Sequence, residues 1–216
     1  MHTVQPAAVS ITQATELGTV YRPAEIAALG AVARSRNLAL HLDGARFANA
    51  LVFLGCEPAD LSWRAGVDLM SFGATKNGAL TAEAVVLFRP GASRRGLAQE
   101  FELRRKRAGH LLSKSRYVAA QLLAYVETGV WHRNAARANA IAQRIARAAG
   151  AWLLHPVEAN EVFVALGEER KKALRARGFM FYDWGATASG QARLVATWDQ
   201  EEAHVGALIE ALESLR

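Results

Sequence analysis

Apolar strand candidates alternate with helical patterns over residues 8–88, and this alternation constrains the fold more than any other feature of the sequence. Pro23 suits the first turn of a helix whose Ile26, Leu29 and Ala33 recur with helical spacing. A second helical stretch follows Gly44. The strand candidates are AVSIT (residues 8–12), LALHLD (38–43), VDLMSFG (67–73) and EAVVLF (83–88). Strands that are almost wholly apolar and separated by helices predict an α/β sheet covered by helices on both faces.

A different pattern begins at Pro90. Helical stretches over residues 96–109 and 113–131 form a long tract, and Gly150 is placed as the cap of a further helix over residues 134–150. Three strand candidates and two helical stretches complete the chain: EVFVAL (161–166), EERKKALRARG (168–178), FMFYDW (179–184), ARLVATW (192–198) and EEAHVGALIEALESLR (201–216). This mixture predicts a small α+β unit. We therefore expect one domain over residues 1–131, which includes the long connecting helix, and a second over residues 132–216.

Composition and charge exclude several classes of protein. The single cysteine, Cys56, cannot form an internal disulfide, which favours a reducing, cytoplasmic setting and a small packed residue over a catalytic thiol. No apolar run reaches the length of a membrane span. The net charge is +6, but the densest basic patch, residues 102–110, is short and lacks interleaved aromatic residues. We therefore expect neither a membrane nor a nucleic acid as partner.

Two charged residues mark a candidate site at the ends of adjacent strands. Asp43 ends one strand candidate and Lys76 follows the next, so both should open onto the crevice at the carboxyl ends of the strands. The simpler interpretation is an ion pair, which the spacing alone favours. The sharper one is a cofactor with a pyridine ring, held by Lys76 as a Schiff base and by Asp43 at its ring nitrogen.

Neighbouring residues suit such a ligand. Thr75 offers a hydroxyl beside Lys76, and Arg46 offers a guanidinium fork for a carboxylate or a ring oxygen. Gly73 and Gly78 allow the backbone to pass close to a bound molecule. The sequence shows no metal-ligand spacing of histidine or cysteine, so we expect no metal site.

The same segments carry a family resemblance. HLDGARFANA (residues 41–50) followed by DLMSFGATKNGALTAEAVVLF (68–88) resembles the threonine aldolase branch of the aromatic amino acid beta-eliminating lyases, which are fold-type I pyridoxal phosphate enzymes. Three weaker segments look like the same family: TELGTVYRPAEI (15–26), RRKRAGHLLSK (104–114) and ARLVATWD (192–199). The resemblance implies the C-terminal part of a fold-type I large domain, with a mostly parallel sheet and helices, and then a small α+β domain. It begins at the family's fourth strand, so we expect an N-terminally truncated chain.

The resemblance also implies roles for individual residues. Lys76 would carry pyridoxal 5'-phosphate as a Schiff base, and Asp43 would meet the pyridinium nitrogen. Arg46 and Arg193 would hold the substrate carboxylate, and Lys106 would reach a phosphate across a dimer interface. Other interpretations stay open for three residues: an edge-strand arginine in a surface ion pair for Arg193, a solvated helix residue for Lys106 and a hydrogen-bonded strand residue for His41.

The function that the resemblance implies is carbon–carbon bond cleavage. A pyridoxal phosphate lyase of the threonine aldolase type would split a β-hydroxy-α-amino acid such as L-threonine into glycine and an aldehyde, acting as a homodimer or homotetramer. Its partner would be a small amino acid substrate. The alternative is a catalytically inactive remnant that serves only as a folded or dimerising domain.

Overall fold

A four-stranded sheet organises the first part of the chain. The computed structural model describes residues 4–88, 96–186 and 189–216. The strands are β1 (Ala8–Thr12), β2 (Ala39–Gly44), β3 (Leu69–Gly73) and β4 (Glu83–Leu87), and they lie side by side in that order. β1, β2 and β3 are parallel, whereas β4 runs antiparallel to β3. A mostly parallel sheet is therefore confirmed.

Two helices cover one face of this sheet. Helix α1 (Pro23–Ser35) starts at a proline and buries Ile26, and helix α2 (Phe47–Leu54) ends at Gly55 in a left-handed conformation. Both pack with Leu40 and Leu42, the inward residues of β2. The opposite face carries polar residues at the alternate positions of the strands, Ser10, His41 and Ser71. Helices α1 and α2 thus cover the apolar face of the sheet, and a helical cover on the opposite face stays a prediction.

The middle of the chain contains separate helices where the sequence predicts a long tract. They are α3 (Leu97–Arg107), α4 (Arg116–Glu127) and α5 (Val130–Ala149). Gly109 and Gly129, with φ of 75° and 68°, adopt left-handed conformations that interrupt the tract. The predicted start at Pro90 lies outside the described residues. None of the described helices combines the length and apolarity needed to cross a membrane.

A smaller antiparallel sheet lies in the second part of the chain. Its strands are β5 (Glu161–Ala165), β6 (Tyr182–Trp184) and β7 (Gln191–Val195), with β7 in the centre. Helices α6 (Glu168–Ala176) and α7 (Glu202–Ser214) accompany it, and the core of this unit combines the inward side of α5 with Val162, Val164, Leu194 and Leu212. The predicted α+β unit is confirmed. The boundary between residues 131 and 132 falls in the first turn of α5, and the division into two domains stays a prediction.

Candidate active site

Asp43 and Lys76 lie at the same edge of the first sheet. Asp43 is the residue before the last one of β2, opposite Ser71 of the parallel strand β3. Lys76 is in a short 3-10 turn, Thr75–Asn77, just past the end of β3. The backbones at the ends of the two strands lie close together. A Cβ atom added to Gly73, the last residue of β3, would lie 3.1 Å from the Cα atom of Ala45, which follows β2. The parallel pairing thus brings the predicted carboxylate and amine to one edge.

The two residues do not neutralise each other. The Ala45 amide donates a 3.0 Å hydrogen bond to Asp43 Oδ1, which fixes the carboxylate at the strand end. Lys76 is exposed, and among the described residues it forms no ion pair with Asp43. The ion-pair interpretation is therefore wrong, and the ammonium of Lys76 faces solvent. Asp43 and Lys76 are therefore separate candidates for the two ends of a pyridine cofactor.

Buried polar contacts hold the turn that carries Lys76. Asn77 Nδ2 donates to Tyr125 Oη at 2.6 Å and to the Trp131 carbonyl at 2.7 Å. Asn134 Nδ2 donates in turn to the Asn77 carbonyl at 2.9 Å. Burial raises the pKa of Tyr125 to about 12, so its hydroxyl stays protonated near neutral pH. These contacts connect the turn to helices α4 and α5 and fix its backbone.

Thr75, predicted to bind the cofactor, closes the loop that returns to β4. Its Oγ1 accepts a 3.2 Å hydrogen bond from the Ala82 amide, and its hydroxyl can donate to the Ala82 carbonyl at 3.5 Å. The residue is exposed. The structure thus places Thr75 beside Lys76, as the sequence requires, with its hydroxyl engaged in the loop.

Arg46 and Arg193 meet on one carboxylate, although they lie far apart in the chain. Arg46 immediately precedes α2, and Arg193 is in the central strand β7. Arg193 Nε donates to Glu161 Oε1 at 2.8 Å, and its Nη2 contacts the same oxygen. Arg46 Nη2 lies 3.3 Å from that oxygen. The interpretation of Arg193 as an edge-strand residue in a surface pair is therefore wrong. We call these three residues the arginine–glutamate cluster.

The arginine–glutamate cluster is largely buried and only partly satisfied. Glu161 is 1% exposed, and burial lowers the pKa of Arg46, while the Glu161 carboxylate opposes that shift. Arg46 stays charged because a guanidinium does not lose its proton in proteins. Among the described residues, neither Arg46 Nε nor Glu161 Oε2 has a hydrogen-bond partner. Unpaired buried polar atoms are costly, which marks the cluster as a place where a ligand could bind.

Lys106 is not brought to this site. It lies in the last turn of α3, a helix without a buried residue, within the basic run Arg104, Arg105, Lys106 and Arg107. Its side chain is exposed, as in the interpretation of a solvated helix residue. Within one chain, no described contact joins Lys106 to Asp43 or Lys76.

Two other residues discussed in the sequence analysis, His41 and Cys56, have structural roles. His41 has a hydrogen bond at each ring nitrogen, to Ser10 Oγ at 2.8 Å and to Ser71 Oγ at 3.1 Å, so it is a satisfied strand residue. Cys56 is partly buried against the core of the first sheet, and burial raises the pKa of its thiol. A raised pKa means less thiolate at neutral pH, which argues against a nucleophile.

Sequence reasoning missed Glu161 and Asn77. Glu161 opens the apolar strand EVFVAL, and an acidic residue at the start of a buried strand is a signal that a cation must meet it. Asn77 follows Lys76 directly, but its partners Tyr125 and Trp131 are 48 and 54 residues away. Such distant partners leave no local pattern.

Comparisons of the sequence with known proteins give consistent matches. A family model described as "Beta-eliminating lyase" matches residues 1–169. The chain is 46% identical over 209 residues to a low specificity L-threonine aldolase of a Pseudomonas species, covering 95% of this chain and 58% of that protein. A protein of the same name from Pseudomonas aeruginosa is also 46% identical, covering 93% of this chain and 57% of that protein.

A solved structure gives the same result for the fold. The structure of Leishmania major threonine aldolase superposes with a TM-score of 0.86 at 27% identity, covering 99% of this chain and 62% of that one. The predicted fold, part of a fold-type I large domain followed by a small α+β unit, is therefore confirmed. The chain thus spans somewhat less than two thirds of the length of the relatives it matches.

Proposed function

The chain belongs to the beta-eliminating lyase family, and from that premise we propose that it carries the amine, carboxylate and arginines of a pyridoxal phosphate-dependent aldolase. The reaction is cleavage of a β-hydroxy-α-amino acid such as L-threonine to glycine and an aldehyde. The observation that carries the proposal is the placement of Asp43 and Lys76 at one strand edge without an ion pair between them. The name of the Pseudomonas relatives supports the choice of substrate class.

Asp43 and Lys76 would hold the cofactor at its two ends. When bound, pyridoxal phosphate supplies an electron sink for the breaking Cα–Cβ bond. The amine of Lys76 is the attachment point, and it is available because it is exposed and unpaired with Asp43. The carboxylate of Asp43 would keep a proton on the ring nitrogen, so Asp43 should affect rate more than substrate affinity. Thr75 braces the loop beside the attachment point.

Arg46 and Arg193 would bind the carboxylate of the substrate. Both guanidinium groups meet at Glu161, so the two arginines converge before any ligand arrives. The carboxylate that they bind is charged in the ground state and in the transition state alike. Their contribution should therefore appear mainly in affinity and orientation, that is, in KM.

Lys106 enters the proposal only through a second copy of the chain. It lies on the exposed helix α3 and has no described contact with Asp43 or Lys76. We therefore include a homodimer or homotetramer in the proposal, with Lys106 of one copy contributing to the phosphate site of the other.

Reductive labelling of lysines tests the proposal. The chain is incubated with substoichiometric pyridoxal phosphate, reduced with borohydride and mapped by peptide mass spectrometry. We expect most of the label on Lys76 and little on any other lysine, and threonine added before reduction should lower the label on Lys76. Lys76→Ala should lose the labelled peptide, whereas Lys172→Ala, which removes an exposed lysine of α6, should keep it.

The distribution of label decides between the two functions that the sequence left open. Label concentrated on Lys76 supports the aldolase, and release of an aldehyde from threonine should then be measured with wild type and Asp43→Asn. The proposal would be contradicted by equal labelling of Lys76, Lys106, Lys114 and Lys172. That result would favour the inactive remnant, which no contact among the described residues supports.

A further inference from the structure

The arginine–glutamate cluster contains more charge than an internal ion pair needs. Two guanidinium groups share one carboxylate in a largely buried place, and Glu16 and Asp43 add further negative charge near Arg46. A buried set of this kind is weak evidence for stability, because well-packed apolar residues are often as stable. The second guanidinium and the unpaired Arg46 Nε instead suit the arrival of one anion, while the unpaired Glu161 Oε2 would repel a second negative charge.

The fold builds Glu161 into the cluster as a fixed element. Its backbone pairs with Val195 of β7 in the second sheet. Val195 is two residues after Arg193 and points to the same face of that strand. The loop of residues 15–19 covers it so closely that a Cβ atom on Gly18 would lie 3.0 Å from the Glu161 carbonyl oxygen. Gly18 also has a φ of 75°, which favours glycine. Glu161 is therefore held beside both arginines and cannot withdraw from them easily.

We propose that Glu161 sets the charge of the carboxylate subsite formed by Arg46 and Arg193, so that the subsite takes amino acids with one free carboxylate and rejects those whose side chain carries a second. The negative charge of Glu161 already neutralises the positive charge of one guanidinium. An incoming monocarboxylate pairs with the second guanidinium, whereas a dicarboxylate brings an extra negative charge close to Glu161, with Glu16 and Asp43 near Arg46 as well. Glu161 is thus a specificity-determining residue. This inference rests on the proposed function, because it assigns the arginines to the substrate carboxylate.

Acetate and malonate measure this discrimination without any cofactor. Each anion is titrated into the 216-residue chain at constant ionic strength, and the side-chain Nε–H signals of Arg46 and Arg193 are followed by NMR. We expect both signals to shift saturably in the wild type, with malonate binding no more than about threefold tighter than acetate. Glu161→Gln should raise the ratio of malonate to acetate affinity by about tenfold or more. Any loss of positioning affects both anions and cancels in the ratio.

Two variants separate charge from structure. Glu161→Asp keeps the charge but shortens the side chain, so the ratio should remain that of the wild type even if both affinities fall. Glu158→Gln removes a carboxylate that pairs with Arg22 outside the cluster, and it should leave the ratio unchanged.

Three results would overturn the proposal. One is an unchanged ratio in Glu161→Gln, which would make Glu161 a structural residue only. Another is a wild type that already binds malonate more than about tenfold tighter than acetate, a test that needs no variant to fold. The third is a failure of either anion to shift the two arginine signals. Labelling of Lys76 is measured separately, so anion binding with no label on Lys76 would count against the aldolase and not against the charge of the cluster.

Discussion

At the scale of single residues, Gly78 determines whether the turn carrying Lys76 can keep its shape. Its φ of 124° is unfavourable for any side chain, and an added Cβ atom would lie 2.6 Å from Asn134 Nδ2. That nitrogen donates to the Asn77 carbonyl, so Gly78→Ala should strain the backbone and displace the hydrogen bond. We expect a loss of about 1–3 kcal/mol in the free energy of unfolding, measured with urea, and slower labelling of Lys76 by pyridoxal phosphate.

Gly55→Ala is the matched control for this substitution. Gly55 also has a positive φ, of 61°, but nothing lies within 4 Å of an added Cβ atom. Gly55→Ala should lower the free energy of unfolding by about 1 kcal/mol, because of the left-handed backbone alone, and labelling of Lys76 should not change. Equal losses in the two variants would mean that Asn134 moves aside freely and that the turn is not held as described.

The same scale shows what the sequence could and could not predict about the site. Asp43 and Lys76 could be placed because each follows a strand, and parallel strands bring their ends to one edge. Glu161 could not be assigned to Arg46, because Arg46 precedes α2, Glu161 begins β5 and the two residues are 115 positions apart by number. The roles of Asp43, Lys76, Thr75, Arg46, Arg193 and Lys106 stay predictions.

At the scale of elements, periodicity located helices and strands well but not their interruptions. The tract between the two sheets has enough helical character to suggest continuity, yet Gly109 and Gly129 end helices in left-handed conformations. Likewise β6 is shorter than the predicted strand FMFYDW, and Phe179 and Phe181 before it pack their side chains against the core. Such breaks depend on the packing of side chains far apart in sequence.

The packing of α2 against α5 depends on a buried pair of asparagines. Asn49 Nδ2 donates to Asn139 Oδ1, and Asn139 Nδ2 donates to the Asn49 carbonyl, both at 2.9 Å. Asn139→Ala would leave the buried amide of Asn49 without its acceptor. We expect the free energy of unfolding to fall by about 1–3 kcal/mol, measured by urea denaturation.

A double-mutant cycle tests whether the loss comes from this pair. Asn49→Ala combined with Asn139→Ala should cost less than the sum of the single substitutions, by about 0.5–3 kcal/mol. Arg147→Ala, at an exposed position of the same helix, should change stability by no more than about 0.5 kcal/mol. Strict additivity would show that the two amides do not stabilise each other.

At the scale of the whole molecule, polar contacts join the two sheets. Each sheet has its own apolar core. Besides the arginine–glutamate cluster, Arg22 beside α1 pairs with Glu158, which lies just before β5, at 2.7 Å. Glu158 Oε2 also accepts a 2.8 Å hydrogen bond from the Val20 amide. Charges near the junction should therefore make the stability of the molecule depend on pH.

Glu158→Gln measures that dependence. The hydrogen bond from Arg22 lowers the pKa of Glu158 in the folded state, with burial opposing the shift. The Glu158 carboxylate therefore takes up its proton at a higher pH in the unfolded chain than in the folded one. The stabilisation from the charged carboxylate is fully present above the pKa of Glu158 in the unfolded chain, and it is lost as pH falls through the pKa of Glu158 in the folded chain. Glutamine keeps an acceptor for the Val20 amide but removes the charge. We expect a loss of about 1 kcal/mol at pH 7, a modest value because Arg22 is partly exposed.

The free energy of unfolding measured at acid pH gives the sharper test. The difference between wild type and Glu158→Gln should shrink as pH falls from about 5 to about 3, since protonation then removes the same charge from the wild type. Glu202→Gln breaks the exposed Arg144–Glu202 pair, which connects α5 and α7 within the second unit and not the two sheets. It should leave the unfolding of the first sheet unchanged at every pH. A constant difference between wild type and Glu158→Gln across this range would mean that the Arg22–Glu158 pair does not contribute to holding the two sheets together.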